Sequence, residues 1–266
     1  NTVRLQTSGK EVTAETILIA TGGRPWMPEI EGIEHAIMSD DAFLLDKLPE
    51  SILIIGGGYI ASEFAGIYAG LGVKTTQAYR GSRLLNGFDP EVRDRAGELQ
   101  VQNGIETRFN ISPTEIKKTK GGYIVTFDDG SKIGTDLVFM ATGRKPHTPG
   151  LNLEAAGVQV DKNGAVIVDE YSRSSAKNIY AVGDVTNRVN LTPVAIREGA
   201  AFVEFQGRFR AGESRYEQVV SIAAVLANGH ACDLNLVVVF ENAFFAPEVP
   251  DAKAELVEEG KLEAND

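Results

Sequence analysis

The feature that most limits what this chain can fold into is Gly56-Gly57-Gly58-Tyr59-Ile60-Ala61. It follows the apolar run Ile52-Leu53-Ile54-Ile55 and opens a segment with helical spacing, Tyr59 to Leu71. This order fits G-x-G-x-x-G/A between the first strand and the helix of a βαβ unit, and Val73 to Tyr79 reads as the second strand. Each small residue has its own task. Gly56 permits the tight turn, Gly58 lets the backbone approach a pyrophosphate, and Ala61 leaves room for the helix to pack on the strand. The helix N-terminus adds unpaired N–H donors and partial positive charge, so the pattern predicts a dinucleotide site in preference to a plain turn.

The far end of the second strand addresses which dinucleotide. An NAD-selective site places an acidic residue there, about 20 residues on, to accept hydrogen bonds from the ribose 2′-hydroxyl. This strand runs instead into Tyr79-Arg80-Gly81-Ser82-Arg83, with two guanidinium groups and no carboxylate. Arginine presents a planar donor fork to phosphate oxygens, so Arg80 and Arg83 suit a 2′-phosphate and NADPH is expected over NADH. The competing reading is that both are solvated loop charges.

Along the rest of the chain, residues 11 to 21 end as a buried strand at Gly22-Gly23-Arg24-Pro25, and a connector from Trp26 to Glu50 carries a short helix around Asp40 to Asp46. Pro90 opens a helix that runs to Asn103-Gly104. Short strands at 105–109, 113–118 and 123–127, with turns at Gly121-Gly122 and Asp128-Asp129-Gly130, predict a β-meander in place of a further helical crossover. Leu137 to Ala141 returns as a buried strand ending in Thr142-Gly143-Arg144-Lys145-Pro146, which repeats the earlier Ala20-Thr21-Gly22-Gly23-Arg24-Pro25. The two phrases bracket an inserted domain. Ala165 to Val168 and Ile179 to Val182 look strand-like, and Pro193 to Gln206 looks helical.

The expected fold is therefore α/β, a Rossmann-like FAD/NAD(P)-binding domain of parallel sheet plus meander, inserted in a partial second FAD-binding domain. The expected boundaries are residues 1–28 and 146–210 for the partial domain, 29–145 for the inserted one, and 211–266 for a C-terminal segment of uncertain fold. A formal charge of −11 argues against a nucleic-acid partner, and the longest apolar stretches fall short of a membrane span. The N-terminus lacks the order of a secretory signal, and one cysteine, Cys232, permits no intrachain disulfide, so a reducing, cytoplasmic setting is expected.

Residues Gly56 to Gly66, Leu71-Gly72-Val73-Lys74-Thr75-Thr76, Arg80-Gly81, Phe88-Asp89, Ala141-Thr142-Gly143-Arg144 and Leu191-Thr192-Pro193-Val194-Ala195-Ile196 together resemble the glutathione reductase branch of the pyridine nucleotide-disulfide oxidoreductases. The last segment favours that branch over dihydrolipoamide dehydrogenase. The resemblance covers roughly residues 11 to 206, and Gly143 is included among its cofactor-binding positions. It implies NADPH and FAD as cofactors, glutathione disulfide as substrate, and a homodimer whose interface is not recognisable here. It further implies that Tyr59 is a lid over the nicotinamide pocket and that Glu63 ion-pairs with a lysine beside the flavin. From the residues alone, Tyr59 is equally a first helical residue packing locally, and Glu63 a first-turn acid favoured by the helix dipole. Ala176 to Asp184 resembles the second flavin fingerprint, which implies that Asp184 accepts from the ribityl chain of FAD; an aspartate after glycine at a strand end is otherwise a turn former.

Such enzymes also carry a first Gly-rich βαβ unit, a Cys-x-x-x-x-Cys dithiol and a C-terminal His-Pro pair with a glutamate. None is present: His35, His147 and His230 all lack a following proline. Asn86 and Gly87 stand where a second phosphate-binding arginine is usual, and from Glu213 onward no match is recognisable. The expectation is thus a fragment or incomplete gene product of a disulfide reductase. Relatives of mercuric, trypanothione or lipoamide type, and a non-catalytic NADPH-binding module, remain open alternatives.

Overall fold

In the computed structural model, which describes residues 2–4, 8–207 and 236–240, the chain forms two units, one from Asn1–Arg24 with Lys145–Asp266 and the other from Pro25–Arg144. The first unit begins with an antiparallel pair, β1 (Thr2–Arg4) and β2 (Glu11–Thr13), with Val3 opposite Val12. The buried strand expected at the end of residues 11–21 is β3, and β2 precedes it as a separate strand. The chain changes partners at the buried Ala14, and β3 (Thr16–Ala20) joins a different sheet before β4 (Gly23–Pro25) leads away.

The second unit is organised by a parallel sheet. After a helical turn α1 (Ser39–Ala42), shorter than the expected 40–46, come β5 (Ser51–Ile55), α2 (Tyr59–Gly70), β6 (Lys74–Tyr79), α3 (Pro90–Gln102) and β7 (Glu106–Phe109). A three-stranded antiparallel meander follows, β8 (Pro113–Thr119), β9 (Gly122–Phe127) and β10 (Lys132–Thr135), and then β11 (Leu137–Met140). The parallel order is β11-β5-β6-β7, with Ile54 beside Phe139 on one flank and Gln77 on the other.

Strand periodicity of two explains how one sheet serves two cores. Ile52 and Ile54 turn toward α2 and cluster with Ala61, Ala65, Tyr68 and Phe139. Leu53, Ile55 and Ala78 turn the other way and pack with Ile116, Val125 and Phe127 of the meander. The continuous apolar run of β5 follows from burial on both faces, as a central parallel strand requires.

The first unit resumes through β12 (Arg144–Pro146), β13 (Ile179–Ala181), α4 (Thr192–Gly207) and β14 (Leu236–Phe240). β3 is central, parallel to β13 and antiparallel to β14. The strand expected at 165–168 does not form. Val166 donates to the Val185 carbonyl at 3.0 Å and keeps only an isolated bridge to Val160. Both Val166 and Val185 lie in the core with Ile17, Ile19 and Ile179, so the apolar signal there reports burial without a ladder. Tyr180 and Phe202 pack on the opposite face of this sheet, ring centroids 5.1 Å apart.

Candidate functional site

In the second unit the chain leaves β5 toward β6 on one side, and β11 returns on the other, so the sheet order reverses beside β5. The carboxyl edge at such a reversal is where open α/β sheets leave a crevice for ligands. Gly56-Gly57-Gly58 occupies that edge, and its glycines serve different ends. Gly56 has φ 146°, and a Cβ there would stand 2.2 Å from the Ala141 carbonyl oxygen and 3.2 Å from the Ala61 Cβ. Gly57 lies over Tyr79, whose ring would be 2.4 Å from an added Cβ. Gly58 faces open space, and its φ of −83° suits any residue, so no contact within the second unit calls for glycine there.

Gly58 is also the N-cap of α2 and supplies no side-chain cap. The first helical bond runs from Ser62 N–H to the Gly58 carbonyl at 3.1 Å, and among the described residues no acceptor meets the N–H groups of Tyr59, Ile60 and Ala61. Those donors and the positive end of the helix dipole form a ready site for an anion.

Two bonds from distant residues hold the glycine turn. Gln77, buried on β6, donates through Nε2 to the Gly56 carbonyl at 2.8 Å, while its Oε1 has no partner among the described residues. Leu85 donates its N–H to the Gly57 carbonyl at 2.6 Å and sits at φ 54° to do so. Neither residue stands out in the sequence. Gln77 lies in the polar strand Lys74-Thr75-Thr76-Gln77-Ala78-Tyr79, where a glutamine gives no signal of its own.

Arg80 projects from the end of β6 into solvent, and among the described residues it has no hydrogen bond or ion pair. Arg83 differs: its Nε lies 3.2 Å from Asp94 Oδ1. Asn86 is exposed on the same loop. Arg93 on α3 donates to two successive carbonyls of that loop, Leu84 at 2.7 Å and Arg83 at 3.1 Å. Asp89 caps α3 through Glu91 N–H at 2.9 Å and Val92 N–H at 3.4 Å.

Tyr59 is the first residue of α2 and is 41% exposed. Glu63, one turn later on the same face, is exposed too and belongs to the second turn, which corrects the dipole argument for a first-turn acid. Gly143, at φ 124°, follows β11 on the same carboxyl edge and accepts from Trp26 N–H at 2.9 Å, while Thr142 Oγ1 donates to the Trp26 carbonyl. Tyr68, on the inner face of α2, has its phenol pushed up by burial and remains a core residue.

Asp184 belongs to the first unit, in a 3-10 turn (Gly183–Thr186) behind β13. Its Cβ and Oδ2 stand 3.4 and 3.5 Å from where a Cβ on Gly23 would be, so the carboxylate faces the Thr21-Gly22-Gly23 turn. Glu198 of α4 fixes this turn. It accepts from Gly183 N–H at 2.7 Å and pairs with Arg188 at 3.0 Å. Gly183 itself has φ 73°, which disfavours any other residue, and a Cβ there would stand a tight 3.2 Å from the Ala195 Cβ. Among the described residues no group of His, Cys, Asp and Glu is placed to hold a metal ion. His230 and Cys232 lie outside the described residues.

Residues 1–199 match the family described as pyridine nucleotide-disulphide oxidoreductase. The chain belongs to that family. Among its relatives in this family, the glutathione reductase of Burkholderia cepacia is 51% identical over 201 residues, covering 76% of this chain and 45% of that protein. The trypanothione reductase of Trypanosoma congolense is 46% identical over 199 residues, covering 73% and 40%. Among solved structures, a Cu(II) complex of the HOCl-induced flavoprotein disulfide reductase RclA from Escherichia coli has a TM-score of 0.71 at 29% identity, covering 77% of this chain and 47% of that one. An engineered water-forming NADPH oxidase bound to NADPH, derived from the Lactobacillus brevis NADH oxidase, gives 0.65 at 26%, covering 75% and 48%. The chain spans less than half the length of each of these relatives. No helix among the described residues is long and apolar enough to cross a membrane.

Proposed function

We propose that the second unit binds NADPH, that Asp184 in the first unit accepts from the ribityl hydroxyls of FAD, and that the chain is part of a glutathione-disulfide reductase. The observation that carries this reading is Gly58: a glycine that no contact within its unit requires, at an uncapped helix N-terminus on the carboxyl edge of the sheet. A pyrophosphate approaching the backbone explains why a side chain is absent there.

The two cofactors, held by these residues, would supply hydride transfer and the passage of its electrons to a disulfide. The residues of this chain bind and orient. The N–H groups of Tyr59, Ile60 and Ala61 receive the pyrophosphate, Arg80 receives the 2′-phosphate, and Gly143 borders the crevice. Tyr59 covers the nicotinamide end and Glu63 pairs with a cation near the flavin. Arg83 belongs to the same phosphate end, where Asp94 already competes for its guanidinium. Asp184 fits its role because its carboxylate has no donor among the described residues and is held in place by the Gly183–Glu198 bond. The engineered relative supports the choice of NADPH. Its substitutions, relative to the NADH oxidase, remove an aspartate at one position and introduce an arginine at the next.

Glutathione disulfide is favoured as substrate by the 51% identity to a glutathione reductase, and a reducing cytoplasm is the matching setting. Trypanothione disulfide is the second reading, favoured by the 46% identity to a trypanothione reductase.

Titration of the chain with NADPH and NADH tests the nucleotide assignment. Saturable binding that favours NADPH and is lost selectively in Arg80→Glu is the expected result, and equal affinity for the two nucleotides would sink it. An absorbance spectrum in the flavin region tests Asp184. For a longer protein containing this chain, NADPH oxidation with each disulfide separates the two substrates.

A further inference from the structure

The loop between β6 and α3 brings Arg80 to the nucleotide end of the sheet, and apart from a turn bond from Phe88 N–H to the Leu85 carbonyl at 3.0 Å its course is held from outside. Leu85 and Gly87 both have left-handed backbones, at φ 54° and 93°. Backbone donors hold its two ends: Ile111 N–H bonds the Tyr79 carbonyl at 3.3 Å, Asn110 N–H bonds the Gly81 carbonyl at 3.2 Å, and Leu85 bonds Gly57. The middle is held by the side chain of Arg93, which donates Nε to the Leu84 carbonyl and Nη2 to the Arg83 carbonyl. A guanidinium that bridges two successive carbonyls fixes both the position and the orientation of that peptide unit, because its donors share one plane. The neighbouring Asp94 draws the Arg83 side chain toward α3 and leaves Arg80 as the loop cation without a protein partner among the described residues.

We propose that Arg93 is a positioning residue for nucleotide selectivity: it holds the Arg80–Leu85 loop so that Arg80 meets the 2′-phosphate. The inference rests on the NADPH reading above. Arg93 touches no nucleotide. It acts by fixing the carbonyls of Arg83 and Leu84, three and four residues beyond Arg80. Loss of the clamp loosens the middle of the loop while the Leu85–Gly57 bond, the glycine turn and the α2 N-terminus, which serve NADPH and NADH alike, stay in place.

The test is a double-mutant cycle on the whole 266-residue chain, with dissociation constants for NADPH and NADH and a thermal melt for each variant. Arg93→Ala is expected to weaken NADPH about tenfold and NADH less than about threefold, from the loss of two charge-assisted bonds that order the loop. Arg93→Lys, whose ammonium cannot span both carbonyls in one plane, is expected to fall between. Arg80→Ala combined with Arg93→Ala is expected to bind NADPH within about twofold of Arg80→Ala alone, since residues acting through one contact are not additive. Equal losses for the two nucleotides, or a fully additive double variant, would overturn the proposal and leave Arg93 a purely structural residue. If Arg93→Ala does not fold, the lysine variant carries the same comparison. A wild-type chain without preference for NADPH would instead overturn the NADPH reading itself, and this inference with it.

Discussion

The N–H of Leu85 donates to the carbonyl of Gly57 at 2.6 Å, joining the loop that carries Arg80 to the glycine turn at the mouth of α2. Leu85 adopts φ 54° to make this bond, a conformation that costs a non-glycine residue about 1–2 kcal/mol. Leu85→Asn tolerates that backbone and keeps the donor, so it should bind NADPH within about threefold of the parent. Leu85→Pro loses the N–H and is locked near φ −65°, so binding should weaken by about tenfold or more, read by titration alongside a melt.

Gly56 and Gly58 should separate folding from binding. Gly56→Ala drives a methyl group into the Ala141 carbonyl at a φ unsuited to alanine, and should cost roughly 3 kcal/mol and lower Tm by about 6 °C or more. Gly58→Ala meets no atom of the described residues within 4 Å and should leave Tm within about 2 °C while weakening NADPH about tenfold or more, because in the proposed site the methyl group would stand in the path of the pyrophosphate. An alanine at 58 that binds normally would remove the central argument for the site.

Gln77 presents a conflict between stability and placement. Its Oε1 is buried without a partner among the described residues, a desolvation cost of about 1–3 kcal/mol, while its Nε2 holds the Gly56 carbonyl. Gln77→Met removes both. The melt should hold or rise, and NADPH affinity should fall severalfold. A fall in Tm with unchanged affinity would show the amide to be a core residue only.

In the first unit, Asp161 Oδ1 accepts from Ala165 N–H and from Asn163 N–H, each at 2.8 Å. These bonds, that from Ala165 foremost, hold its carboxyl below the usual carboxylate value. A folded-state value below the unfolded one means that the contribution is complete above the ordinary carboxylate range and is lost as pH falls through the depressed value. The stability gap between the parent and Asp161→Asn should therefore be constant at neutral pH and close in acid. A gap that widens on acidification would reverse the assignment.

The spacing of residues 52–61 determined the strand, turn and helix by itself, because a glycine turn after an apolar run is a local instruction that reads along three or four successive positions. The meander was legible for the same reason, from the turns at Gly121-Gly122 and Asp128-Asp129-Gly130, although the strand at 105–109 read with it pairs parallel to β6 as the edge of the other sheet. Arg80 stood out as well, since it directly follows a strand. The Ala165–Val168 segment misled because burial and strand pairing share one apolar signal, and only the hydrogen bond from Val166 to Val185 separates them.

Tertiary structure alone decided which side chains hold the site. Gln77 reaches Gly56 because β6 lies beside β5, Arg93 reaches the loop because α3 folds back across it, and Asp94 claims Arg83 by the same return. It also divided the three glycines, giving Gly56 and Gly57 to the protein and leaving Gly58 open. A sequence motif records that a backbone needs room. Whether that room is taken by a neighbouring strand, an aromatic ring or a ligand depends on what the rest of the chain brings alongside.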